Sequence, residues 1–302
     1  MRSRFQPDRQ LTARMLVTLF LLGLLYVAFM AALIALLKSW ILVVVIAAGL
    51  LAAQYWFSDR IALYAMHGRI VTREEQPELH GFIDRLCATA DMPRPRVAVS
   101  EMDMPNAFAT GRNADHAVVC VTTGLLRRLE PAELEGVLAH ELSHVAHRDV
   151  AVITIASFLG VIAGLIVRFA FYSQLFGGRG RRGDQNTFVL LMTVMAVSAL
   201  VYAISFVLIR ALSRYRELAA DRAGAMLTGR PSALASALIK LNGDIARIPT
   251  RDLRAAQAFN AFFFTPARRP GTTVSNLFST HPSLERRLDQ LSKISAQLGK
   301  PA

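Results

Sequence analysis

The chain has 302 residues, 53% of them hydrophobic and only 19% charged, a balance too apolar for an ordinary soluble enzyme of this length. Its net charge of +12 would suit nucleic acid, yet no DNA- or RNA-binding motif and no basic patch interleaved with aromatics stands out, so the excess arginine reads as juxtamembrane charge facing anionic lipid. Cys87 and Cys120 lack metal-ligand spacing and imply neither a disulfide framework nor a cysteine-based zinc site.

Four apolar stretches carry the excess: Met15 to Leu37, Trp40 to Phe57, Ala151 to about Tyr172, and Phe188 to Ile209. Each is near the ~20 residues a helix needs to cross hydrocarbon. The first is too long for a signal-peptide core, and the second follows directly after Lys38 and Ser39, so the two read as a hairpin anchor. Beyond them, "EEQPELHGFIDRLCATA" places Leu79, Phe82, Ile83 and Leu86 at helical spacing. Two or three short strands are expected among the candidates "RVAVS" (96–100), "NAFAT" (106–110) and "HAVVCV" (116–121), separated by Pro105 and the turn-like "GRNAD". Pro131 suits the first turn of the next helix and Glu133 and Glu135 its positive end, so "PAELEGVLAHELSHVAHR" reads as one helix. After the fourth apolar stretch a helix is expected to continue to a stop at Gly229, with Pro231 opening another. "HPSLERRLDQLSKI" reads as an amphipathic closing helix with Pro282 in its first turn. "AFFF" at 261–264 reads as core or membrane contact.

The chemistry concentrates in the H-E-x-x-H of the fifth of these segments. Residues i and i+4 of a helix lie about 40° apart and one turn up, so His140 and His144 point the same way and can share one metal. Glu141, about 100° round from His140, stands beside that metal, where a general base acts on a metal-bound water. A catalytic zinc takes three protein ligands and keeps a fourth position for water, so a third ligand is required elsewhere. Glu217 in "RELAAD" is the best candidate, with Asp221 one turn on to orient a ligand histidine. Set against this is an ordinary solvated face, on which Glu217 and Asp221 pair with Arg214, Arg216 or Arg222. His147 would close the position that water needs, so it is read as supporting the site or an interface.

Four ordered motifs, "PNAFATGR", "HELSHVAHRD", "RYRELAADRAGA" and "FSTHPSLERRL", resemble the HtpX family of membrane-embedded zinc metalloproteases, whose relatives include the CAAX prenyl proteases. The likeness runs from the N-terminal hairpin to the last helix. It implies one zinc ion per chain on His140, His144 and Glu217, with Glu141 as base and proton shuttle. It implies a gluzincin-type fold in which the "NAFAT" strand lines the cleft and can bind substrate backbone as an added strand. Asn106, His281 and Arg222 become candidates near substrate or the tetrahedral oxyanion. The family's setting is stress-related quality control in the bacterial inner membrane, with protein substrates that include membrane proteins.

The expected architecture is therefore mainly α and polytopic: two transmembrane helical hairpins plus a gluzincin-type zinc metalloprotease domain with a small β-sheet. Residues 1–14 form a cytoplasmic tail, 15–57 and 151–209 the hairpins, and 58–150 with 210–302 the two parts of the protease domain. One metal can bind His140, His144 and Glu217 only if the intervening stretches return the chain to the side it left. Arginines at positions 2, 4, 9, 14, 60, 69, 210, 214 and 216 make that side cytoplasmic by the positive-inside rule. Arg168, and Arg179, Arg181 and Arg182 in the turn, cut against a full second crossing and leave 151–209 as a transmembrane or membrane-associated hairpin that is short, tilted or not fully spanning. The expected partners are protein substrates and the bilayer, with no nucleic acid and a homo-oligomer left open. A CAAX-type prenyl protease would need a larger multi-helix chamber than four spans make. A zinc-holding scaffold has no need of Glu141, and a transporter would place ionisable ligands at mid-membrane, where these stretches carry almost none.

Overall fold

The computed structural model describes residues 9–37, 40–111, 113–147, 162–164, 166, 185–247 and 281–299. Most of the third apolar stretch, the arginine-rich turn and the "AFFF" run lie outside the described residues. The chain divides into two compact units, one formed by Arg14–Trp56 and Val152–Leu212, the other by Phe57–Ala151 and Ser213–Ala302 with the first residues.

In the apolar unit, α1 (Arg9–Leu37) and α2 (Trp40–Trp56) join the first part of α7 (Gln185–Thr228). Phe29 and Leu33 of α1, Val43 and Ala47 of α2, Ile162 and Ala163, and Val194 and Val201 of α7 form its interior. The outward residues are no more polar than the inward ones: Phe20 is 70% exposed and Val27 65%. Water would penalise such a surface, whereas hydrocarbon does not. Two helical segments, Thr12–Leu36 and Val189–Thr228, are long and apolar enough to cross a membrane, with mean hydropathies of 2.7 and 2.3.

The second unit is α/β. It contains α3 (Ser58–Ala65), β1 (Gly68–Ile70), α4 (Pro77–Ala90), β2 (Arg96–Ser100), β3 (Ala107–Thr110), β4 (Val118–Thr122) and α5 (Thr123–Arg128). These are followed by α6 (Pro131–Ala146), the polar end of α7, α8 (Pro231–Arg247) and α9 (Leu284–Leu298). All three candidate strands are present within a residue or two, and a fourth, β1, joins them. The sheet order is β1-β2-β4-β3, with β2 and β4 parallel and the outer pairs antiparallel. Side chains alternate across it. Val97, Val99, Val119 and Val121 join Leu79, Ile83, Leu138 and Leu142 in the main core, while Ala98, Phe108, Val118 and Cys120 meet Ala62 and Met66 on the other face. Burial on both faces explains why β4 reads as a continuous apolar run instead of an alternating one.

The helix boundaries follow local chemistry. Pro131 opens α6, and the Glu130 backbone N–H donates to Glu133 Oε2 at 2.9 Å, satisfying one donor of the first turn. Glu133 also accepts from Ser236 Oγ at 2.6 Å and Lys240 Nζ at 2.8 Å, which joins the start of α6 to α8. At the closing helix the expectation needs correction by two residues: Ser283 is the N-cap, its Oγ accepting from the Arg286 N–H, and Pro282 precedes it.

Candidate active site

α6 is buried along nearly its whole length, and this brings polar side chains into the core. His140, Glu141 and His144 are all buried. The two imidazoles meet edge to face with Nε2 atoms 3.2 Å apart. Glu217 reaches the same point from α7, its Oε1 3.5 Å from His144 Nε2 and its Oε2 3.7 Å from His140 Nε2. Within one helix this meeting needs only the i,i+4 spacing, whereas Glu217 is delivered by the packing of α7 against α6.

One donor atom from each of His140, His144 and Glu217 lies within 4.8 Å of the others, a group able to hold a metal ion. Ligands around a tetrahedral zinc, bonded at roughly 2.0–2.1 Å, stand about 3.3 Å apart, close to the spacings here, and a set of two imidazoles and one carboxylate leaves a fourth position open. His140 Nδ1 donates to Asp221 Oδ1 at 2.9 Å, which leaves the Nε2 lone pair directed at the cluster. Burial draws the His140 imidazole below its ordinary range, against the pull of Asp221, and so favours the neutral, metal-binding form.

The carboxyl of Glu141 lies between this cluster and the sheet. Burial pushes it up to about 8, opposed by His144 and by a hydrogen bond from the Ala109 backbone. Ala109 belongs to β3, an edge strand of the sheet among the described residues, so that edge and the Glu141 carboxyl lie side by side.

The other expected residues separate. His281 Nδ1 donates to Glu217 Oε2 at 3.0 Å, and Asp221 is fully buried. Asn106 is buried at the head of β3, where its backbone N–H donates to Thr122 Oγ1 at 2.8 Å. Arg222 takes no part in the hydrogen bonds given above for the cluster, and its buried Nε has no hydrogen-bond partner among the described residues. His147 is exposed and donates from Nδ1 to the Ser143 carbonyl at 2.8 Å, closing the end of α6. The solvated-face alternative for Glu217 and Asp221 does not hold, because both are buried.

Arg287 has no counterpart in the sequence reading. It is only 2% exposed, and its Nε and Nη2 donate to Asp221 Oδ2 and Oδ1 at 2.7 and 2.6 Å. A signal was available: Arg287, Leu291 and Ile294 stand at i, i+4 and i+7, which puts a cation on the apolar face of an amphipathic helix.

A buried metal-binding trio beside a basic carboxylate and an edge strand, on a chain with membrane-length apolar helices, defines a membrane metalloprotease. Residues 73–295 match peptidase family M48. The chain is 77% identical over 300 residues to "Protease HtpX homolog 1" of Streptomyces coelicolor, covering 99% of this chain and 98% of that one. It is 52% identical to "Protease HtpX homolog" of Moorella thermoacetica, covering 99% of each. The crystal structure of S. mikatae Ste24p shares the fold, with a TM-score of 0.53 at 17% identity over 94% of this chain and 67% of that one. The chain belongs to peptidase family M48.

Proposed function

We propose that the protein is a zinc endopeptidase of the bacterial inner membrane whose substrates include membrane proteins. His140, His144 and Glu217 would hold one zinc ion, and Glu141 would act as base. The observation that carries this reading is the convergence of three donor side chains on one point, with the buried Glu141 carboxyl next to them. Zinc bound there would polarise the scissile carbonyl and lower the pKa of water. The Glu141 carboxylate beside that position would accept the proton from water and pass it to the leaving amine. Asp221 keeps His140 in the tautomer that presents Nε2, and the edge of β3 aligns the substrate backbone as an added strand. Asn106 and His281 are supporting groups near the reacting carbonyl.

In this reading 15–57 and 151–209 are two membrane hairpins, and 58–150 with 210–302 form one cytoplasmic peptidase domain after a short tail at 1–14. The arginine distribution supports that orientation. The H-E-x-x-H helix ends at Ala146, close in sequence to the apolar run that starts at Ala151. This favours substrates that emerge from the bilayer.

The deciding experiment measures metal content and cleavage of casein and of a membrane protein by purified wild type and Glu141→Ala. One zinc per chain in both proteins, with cleavage only by the wild type, is the expected result. Equal cleavage by the two would overturn the mechanism.

A further inference from the structure

Along α7, Glu217, Asp221 and Gly224 stand at i, i+4 and i+7, so all three look toward α6. His144, late in α6, meets Glu217, early on this face, and the His140 backbone meets Gly224, late on it, so the helices pass with opposite chain sense. A Cβ added at Gly224 would lie 2.9 Å from His140 N, 3.2 Å from Ala139 C and 3.2 Å from His140 Cα. All three are main-chain atoms, which cannot swing aside as the tip of a side chain can. Glycine in the middle of a helix is otherwise a poorer choice than alanine. Its place here is accounted for by the approach of the two backbones, one turn from the His140–Asp221 hydrogen bond.

The same turn of α7 is gripped by α9. Arg287 binds both oxygens of Asp221, and Gln290 Nε2 donates to the Leu218 carbonyl at 3.0 Å. We propose that Gly224 and Arg287 are positioning residues that together set how closely α7 seats on α6, and thereby the spacing of the metal donors. Gly224 sets the separation of the two backbones. Arg287 fixes the carboxylate that orients His140. The inference rests on the metal site proposed above.

The test uses full-length protein in detergent, in a Glu141→Gln background that prevents self-cleavage. Zinc affinity is measured by chelator competition, donor geometry by the visible spectrum of the cobalt form, and stability by melting with and without metal. Gly224→Ala is expected to weaken metal binding by roughly 10–100-fold, to change the cobalt spectrum and to shrink the rise in melting temperature on adding metal. Gly243→Ala, where an added Cβ meets nothing within 4 Å, should change none of these. Arg287→Met paired with Asp221→Asn leaves no buried charge alone and keeps an acceptor for His140, yet should show the same loss, partly recovered in Arg287→Lys. A merely structural role would lower the melting temperature of the metal-free protein and leave affinity and spectrum unchanged. That outcome for Gly224→Ala overturns the inference, and if Gly224→Ala does not fold, the same outcome for the Arg287→Met and Asp221→Asn pair does so. Wild type that binds no metal would instead bring down the reading of the site, and this inference with it.

Discussion

His140 donates through Nδ1 to Asp221 Oδ1 across 2.9 Å, and Asp221 in turn accepts from Nε and Nη2 of Arg287. Removing the middle of this chain has two separable effects. Asp221→Ala frees the His140 ring to turn and should weaken metal binding by about 10–100-fold, measurable by chelator competition. It also takes from Arg287 its two-point partner in the core, leaving Glu217 Oε2 at 3.9 Å from Nη1, and should lower the melting temperature of the metal-free protein. Full metal affinity in a folded Asp221→Ala protein would refute the first effect.

Glu141 is assigned a proton and no metal. Glu141→Gln should therefore retain zinc while cleavage falls by at least ~100-fold, since a positioned acid-base group contributes on the order of 10²–10⁴ in rate. Metal analysis alongside a peptide or casein assay separates this from a simple loss of the ion. Zinc-free Glu141→Gln would place the residue in the coordination sphere instead.

Glu133 gives a pH-dependent prediction away from the site. Burial alone would raise its carboxyl, but hydrogen bonds from Lys240, Ser236 and the Glu130 backbone outweigh that and hold it below 4.5. A carboxylate depressed on folding adds stability above its unfolded pKa, and that stability is lost as pH falls through the folded value. Glu133→Gln should thus cost about 1 kcal/mol at neutral pH, discounted for the half-exposed Lys240. The gap to wild type should narrow as pH drops below 4.5. Melting curves across that range are the check, and a gap that does not vary with pH would argue against the ion pair.

The outward face of α1 offers a test of the lipid assignment. Leu24 is 59% exposed and Leu33 only 4%. Leu24→Arg should impair membrane retention, since arginine at a helix centre costs roughly 2.5–3.5 kcal/mol on insertion. Leu33→Ala should leave retention intact and lower the melting temperature, because it hollows the helix interior. Carbonate extraction and thermal melts distinguish the two, and retention of Leu24→Arg equal to wild type would count against a spanning α1.

The two thiols should be silent. Burial pushes Cys87 up to about 11 and Cys120 to about 12, so thiolate is scarce at neutral pH. A thiol reagent should label the protein only after unfolding, and zinc content should not change. Rapid labelling of the folded protein would contradict the packing of β4 and α4.

What the sequence conveys and what it withholds differ for physical reasons. The i,i+4 spacing of His140 and His144 is a property of one helix, so it is visible in one line of sequence. β2 is equally visible, because Val97 and Val99 alternate in a short run that follows Pro93 and Pro95. Asp221 follows from Glu217 by one helical turn. β1 is only three residues long, with Arg69 exposed, and nothing local marks Gly68–Ile70 as a strand until β2 lies beside it. Arg287 was harder still. Arginine usually signals solvent, and only the partner 66 positions away makes a buried one acceptable. The approach at Gly224 is likewise invisible in sequence, since a helical glycine carries no sign of which backbone it faces.

The site draws on chain that emerges late in translation. All three donors precede residue 218, but the hydrogen bond to Glu217 comes from His281 and the counter-charge to Asp221 from Arg287. A ribosome that has made only the first 280 residues has therefore supplied every donor and neither support. A chain stopped at residue 280 should therefore take up zinc more weakly than the full chain, and comparing the two would measure what the late residues contribute.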